Sequence, residues 1–410
     1  MEEYQIFTLP NGIRVAHREV ANTKIAHCGF TLDIGTRDEL PEQMGMAHFW
    51  EHMAFKGTLK RKPIHIINRL EVVGGELNAY TTKEKICFFA SILDSHFEKA
   101  FELLHDITFH SVFPQKEIEK EKSVILEEMS MYLDSPEDAI QDEFEQQVFA
   151  SHPLGYNILG EASVINKVQK EDFVRFINQN LDNERLIFNS VGNMPAKKVF
   201  KMAEKYLSDL PVKKSGRIRK PFENYIPSQI SREKSILQAH CMVGCPSYAM
   251  DSEKRLPFFM LVNLLGGPGM NSRLNLALRE KFGLVYNVEA NLTNYTDCGL
   301  FSIYFATEQK QLKRSVDLMQ KELKKLRNTT LGTGQLHTCK QQLMGQLAMS
   351  EESNMNFMQM MGKSLLDLGQ IDSLADIFNQ IHKVTSKELL DIANEMFAED
   401  KLSMLTYLPE

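Results

Sequence analysis

The sequence predicts an α+β chain of two similar domains, each an antiparallel-rich sheet packed against helices, joined by a linker. Three observations carry that expectation. At 410 residues the chain is too long for one ordinary core. Each half shows the same rough order: an apolar strand, a helix closed by paired glycines, then further strands and helices. Between the halves, Ser208 to Pro227 changes character, with Pro211, Pro221 and Pro227 set among Lys213, Lys214, Arg217, Arg219 and Lys220. It reads as a solvated, basic linker over 211–230, dividing a first domain (1–210) from a second (231–410).

In the first half, Tyr4–Leu9 and Ile13–Glu19 flank Asn11-Gly12, a strong hairpin signal. Ile25–Ile34 is an apolar run that reads as a buried strand. A helix follows Gly45 from Ala47 to about Phe55, with Gly57 as its stop. Pro63 opens another, whose Ile66, Ile67, Leu70 and Val73 share a face and which ends at Gly74-Gly75. Glu76–Thr81 and Lys85–Ile92 read as strands. Helices then cover Ser95–Phe109 and Pro114 to about Leu133. In the second half, Ser235–Gly244 reads as a strand and Ser252–Leu265 as a helix ending in Gly266-Gly267. A short helix runs through Arg273, Leu274, Leu278 and Arg279. Strands follow at Leu284–Thr293 and Gly299–Ala306, and helices at Glu308–Arg327, Gln335–Ser350, Asn354–Leu368 and Ser386–Phe397. Met355, Met358, Met360 and Met361 in the third of these read as core filling.

Hydrophobic content of 43% and charged content of 25% leave ample material for packed cores. A net charge of −7 gives no general affinity for nucleic acid or anionic membranes. No apolar run reaches a membrane span, and Met1–Pro10 lacks a basic-then-apolar leader, so a cytoplasmic protein is expected. The six cysteines read as reduced and buried; Cys241 and Cys245 lack the second pair that a structural metal site needs.

The chemistry is concentrated in His48-Phe49-Trp50-Glu51-His52. Histidines four apart on a helix lie one above the other, and a glutamate three after the first joins their face. Two imidazoles are a natural start to a zinc site, and Glu51 is then placed to take a proton from water activated there. The pattern H-x-x-E-H inverts the commoner zinc-peptidase motif. Further on, Glu121 and Glu128 lie two turns apart on one helix face beside Val124-Ile125-Leu126. A half-buried carboxylate there needs a partner, and a zinc ion held by two histidines would be one.

These residues carry a family resemblance. The chain resembles the pitrilysin, insulin-degrading enzyme and mitochondrial processing peptidase family of inverted-motif zinc peptidases, and its size is similar to the short, dimer-forming branch. His48 to Thr58 is similar to the family's metal helix almost throughout, and Val124-Ile125-Leu126-Glu127-Glu128-Met129 to the segment supplying the third ligand. The resemblance implies one zinc per subunit on His48, His52 and Glu128, with Glu121 supporting. Gly74-Gly75-Glu76-Leu77-Asn78-Ala79-Tyr80-Thr81 resembles the strand along which relatives bind substrate as an added β-strand, implicating Asn78, Ala79 and Thr81. Ser272-Arg273-Leu274, Leu278-Arg279-Glu280-Lys281 and Gly283-Leu284-Val285-Tyr286 resemble the second-domain motif, with Arg279 and Tyr286 assisting substrate binding and transition-state stabilisation. Where relatives often have Thr and Tyr, this chain has Ile86 and Phe88, removing hydroxyls near that strand.

The expected activity is a zinc-dependent endopeptidase hydrolysing peptides or unfolded segments, with Glu51 as base. The family also implies a homodimer enclosing a shared chamber, with Arg279 and Tyr286 acting across subunits. The alternative is a non-catalytic or partner-dependent subunit that binds and presents peptides, a role that an intact ligand set and Glu51 argue against.

Overall fold

The computed structural model describes residues Tyr4–Glu410 and contains two compact units, each built on one mixed sheet. The first sheet has strands β1 (Gln5–Thr8), β2 (Arg14–Glu19), β3 (Ile25–Leu32), β4 (Glu76–Thr81), β5 (Ile86–Leu93) and β6 (Leu186–Gly192), in the order β1-β2-β6-β3-β5-β4. All neighbours are antiparallel except β2 and β6. The second sheet has β7 (Gln229–Lys234), β8 (Ala239–Ser247), β9 (Val285–Asn294), β10 (Gly299–Thr307) and β11 (Ser403–Pro409), in the order β7-β11-β8-β10-β9. Here β7 and β11 form the parallel pair. Two sheets of one plan, each covered by helices, are what the repeated order of elements predicts.

Strand periodicity explains the layering. Along β6, Leu186 and Phe188 enter the main core of the first unit, whereas Ile187 and Val191 point to the opposite face. On the core side lie α1 (Met46–Ala54), α2 (Pro63–Glu71) and α3 (Phe97–Phe109). The opposite face is covered by the Asn354–Asp367 helix, whose Phe357, Met358, Met361 and Leu365 are buried there. Met358 and Met361 are core, as read, while Met360 is partly exposed. In the second unit, Cys241, Val243 and Cys245 of β8 face the main core and Met242 faces α5 (Pro136–Val148), which supplies Ile140 and Phe144.

The units are therefore not the serial halves that a cut at the linker produces. The first comprises the chain up to Met129, Tyr156–Lys220 and Ser350–Ile371; the second comprises Ser130–Gly155, Pro221–Met349 and Asp372–Glu410. Each sheet has one face covered by a helix that serial halves would assign elsewhere, because a sheet with two apolar faces must bury both.

The linker also differs from its reading as a solvated basic stretch. Lys214 is exposed, but the Arg217 and Arg219 side chains are each only 9% exposed. Arg219 grips Asp38 through Nε and Nη2 at 2.8 and 2.7 Å and reaches Asp33 at 2.9 Å; Arg217 meets Asp38 at 3.0 Å. Buried carboxylates require such partners. Burial alone would raise the Asp33 pKa, but Lys85, Arg219 and Arg217 bring it down to about 2. The Ser235–Gly244 strand starts later than read, at Ala239, and follows a turn in which Leu237 is fully exposed. All six cysteines are free and buried. No helix among the described residues is long and apolar enough to cross a membrane.

On α3, burial, reinforced by nearby His110, lowers the His105 pKa to about 4. A histidine neutral when folded but protonated near its ordinary value when unfolded contributes stability above that value and loses it as pH falls. The unfolding free energy should therefore drop between about pH 6.5 and 4, by at most about 3 kcal/mol from this group. In His105→Phe the slope should be shallower; an unchanged slope in urea titrations would assign the effect to other groups.

Candidate metal centre

The helix α1 is held at its start and along one face. Gly45 precedes it with φ of +93°, and a Cβ there would lie 2.7 Å from the Leu159 carbonyl oxygen, so only glycine fits. The Gly45 and Ala47 N–H groups donate to the buried Glu39 carboxylate at 2.8 and 2.7 Å, satisfying free donors of the first turn. Met46, Phe49, Trp50 and Met53 are buried; Phe49 meets Phe173 edge-on at 5.0 Å and Trp50 meets Phe88 at 6.0 Å. Anchoring that face leaves His48, Glu51 and His52 together on the other.

Opposite them runs α4 (Gln115–Leu133), fixed by buried Ile118 and Ile125. Its Glu128 Oε2 lies 3.7 Å from His48 Nε2 and 3.4 Å from His52 Nε2. Among the described residues, this trio is the one group of three His, Cys or acidic side chains whose ligand atoms converge, all within 4.8 Å. Glu121 lies one shell out. Its Oε2 is 3.2 Å from His52 Nδ1 and its Oε1 is 2.7 Å from Lys56 Nζ. With Nδ1–H donating to Glu121, the His52 Nε2 lone pair faces the centre.

The electrostatics fit a cation. Burial and the neighbouring His52 push the His48 pKa down. Burial also opposes charge on His52, but hydrogen bonds to Glu121 and Glu128 outweigh it and raise its pKa to about 9. A proton on His52 thus balances two carboxylates, a charge that a metal ion would supply instead. His48 Nδ1 is buried without a hydrogen-bond partner among the described residues. Two imidazole nitrogens and one carboxylate oxygen match the donor set that a catalytic zinc with open positions takes.

Glu51 sits beside this centre. Burial raises its pKa, and the Thr81 hydroxyl donates to its Oε2 at 2.6 Å. Thr81 closes β4, the edge strand that also carries Asn78 and Ala79 and, among the described residues, pairs only with β5. Ile86 and Phe88 pair with Thr81 and Ala79, and both are fully buried. They pack the core behind α1, so hydroxyls at these two positions would be sealed away from any ligand.

Arg279 and Tyr286 belong to the second unit, whereas the metal trio belongs to the first. Arg279 lies in the last turn of a π-helical segment, Asn275–Glu280, where an ordinary short helix was expected. Its guanidinium lies 5.5 Å from the ring centre of Tyr286, whose side chain is 87% exposed at the start of β9.

Sequence reasoning missed two supporting residues. Lys56 lies just past the end of α1, so helical spacing does not place it, and its approach to Glu121 depends on how the chain leaves the helix. Glu39 carried no signal either, because its role depends on a loop returning to the helix start. Glu121→Gln should keep the fold but weaken zinc binding by about 10–100-fold. Competition with a chromophoric chelator measures this, and wild-type affinity would remove Glu121 from the site.

Residues 14–162 match the family described as insulinase, peptidase family M16, and residues 167–343 match the peptidase M16 inactive domain. A protein of Bacillus subtilis described as an uncharacterized zinc protease is 32% identical over 395 residues, covering 96% of both chains. One of Streptomyces coelicolor, similarly described, is 30% identical and covers 95% of this chain and 86% of the other. Two solved structures share the fold. A peptidase M16 inactive domain from Pseudomonas fluorescens superposes with TM-score 0.92 at 18% identity, covering 99% of this chain and 98% of that one. A protease from Helicobacter pylori gives 0.91 at 20% identity, covering both chains fully.

Proposed function

The chain belongs to the insulinase family of M16 peptidases, and from that premise we propose that it is a zinc-dependent endopeptidase acting on peptides and unfolded segments. The observation that carries the reading is the convergence of His48, His52 and Glu128 with Glu51 alongside. The three ligands would hold one zinc per subunit. Bound there, zinc supplies Lewis acidity, making water a better nucleophile and polarising a peptide carbonyl. Glu51, its affinity for protons raised by burial, takes the proton of the attacking water and delivers it to the leaving amine. Thr81 holds the carboxylate in place for that transfer.

Substrate adds to β4 as a further strand, its backbone pairing with the edge that β5 leaves free at Asn78, Ala79 and Thr81. Backbone pairing accepts many sequences but requires an extended segment, hence unfolded substrates. The same hydrogen bond that orients Glu51 therefore ties the base to the end of the substrate strand. Arg279 and the exposed Tyr286 hydroxyl supply donors to the oxyanion. In a homodimer enclosing a chamber, these come from the other subunit.

The test is hydrolysis of a mixed fluorogenic peptide library by the zinc-loaded protein, followed by mixing Glu51→Gln with Tyr286→Phe subunits. Turnover in the wild type and partial recovery in the mixture are expected. Zinc retention without turnover would favour the presenting subunit; no recovery despite demonstrated subunit exchange would place each site within one chain.

A further inference from the structure

The second unit contains a cavity of about 510 Å³ beside the π-helical turn. Four cations line it, Arg273, Lys281, Lys321 and Lys325, against one carboxylate, Glu322. That carboxylate is taken: Lys325 Nζ lies 2.6 Å from Glu322 Oε1. Arg273, Lys281 and Lys321 make no hydrogen bond or ion pair through their side chains among the described residues; Arg273 and Lys281 flank the π-helical turn and Lys321 comes from the Leu312–Asn328 helix. Arg273 is the telling member. Its side chain is half-buried, and burial lowers its pKa, with Glu322 and then Cys339 in opposition. A desolvated guanidinium without a hydrogen-bonded acceptor is costly, and three cations around one cavity repel one another, with Lys281 met only by the Phe282 ring at 5.3 Å. Neither feature serves the fold.

The rest of the lining limits the occupant. Leu276, Phe282 and Leu318 contribute apolar surface between the charges. The volume suits a small molecule and is too small for a folded partner. Arg273 offers a planar fork of donors that matches a phosphate, and Lys281 and Lys321 are mobile point charges that suit a second anionic group. We propose that this cavity binds a phosphate-bearing small organic molecule, with Arg273 gripping one phosphate and Lys281 and Lys321 neutralising the remaining charge. The lining residues belong to the second unit and the metal trio to the first, and Arg273 is given no catalytic role in the peptidase reading above.

The probe is fructose 1,6-bisphosphate, titrated calorimetrically into the full-length zinc-loaded protein at constant ionic strength, with inorganic phosphate compared. Saturable binding of one bisphosphate per chain, tighter than inorganic phosphate, is expected. Arg273→Gln should weaken it by about tenfold or more. Lys321→Gln, on an exposed residue whose loss leaves packing intact, should weaken it by about two- to fivefold. Lys387→Gln, which removes an exposed cation paired with Asp391, should leave it unchanged. Heat that vanishes at constant ionic strength, or binding undiminished in Lys321→Gln and folded Arg273→Gln, would overturn the proposal.

Discussion

Glu51→Gln should cut peptide hydrolysis by roughly 10²–10⁴-fold while leaving zinc content and unfolding temperature at wild-type values. The substitution keeps the size of the side chain and an oxygen that can accept from Thr81, so the 2.6 Å contact has a replacement. What disappears is the site that accepts a proton. A positioned general base contributes roughly 10²–10⁴-fold, and the loss in kcat should fall in that range with KM little changed. Metal analysis must accompany the kinetics, because zinc loss would mimic the result. Residual activity within a few-fold of wild type, at equal zinc, would mean that another group takes the proton.

The candidate site was legible to different depths, for physical reasons. His48, Glu51 and His52 sit on one short helix, so periodicity alone placed them together. Glu128 lies on another helix, and spacing could say only that it shares a face with Glu121. Which of the two approaches the imidazoles depends on how α4 packs, and it is Glu128 that meets both Nε2 atoms while Glu121 meets His52 Nδ1. The edge position of β4 likewise depends on strand order, a non-local property. Among the unread elements, β6 is buried at every position and shows no alternation, and β7 and β11 pair in parallel across most of the second half. The basic linker misled because charge was taken as a sign of solvation. Arg217 and Arg219 are buried because Asp33 and Asp38 await them, and those partners lie far away in sequence.

Glu128→Ala should remove the metal, not merely weaken it, and with it all hydrolysis. Two neutral imidazoles leave a divalent ion with fewer protein ligands than a catalytic zinc site typically has. The carboxylate also offsets the ion's charge in a half-buried site, so its loss removes both a bond and a favourable field. Zinc content after dialysis should fall from about one per chain to a small fraction of that. The loss extends to stability. Ligand binding to the folded state alone adds about 4 kcal/mol when the free ion is a thousandfold above Kd, so a chelator should lower the wild-type unfolding temperature. The same chelator should leave Glu128→Ala unmoved. Set beside Glu51→Gln, which keeps zinc and loses most turnover, and Glu121→Gln, which weakens zinc partially, this makes three carboxylates with three separable phenotypes. Full zinc occupancy in Glu128→Ala together with metal loss in Glu121→Gln would reverse the assignment, making Glu121 the ligand and Glu128 its support.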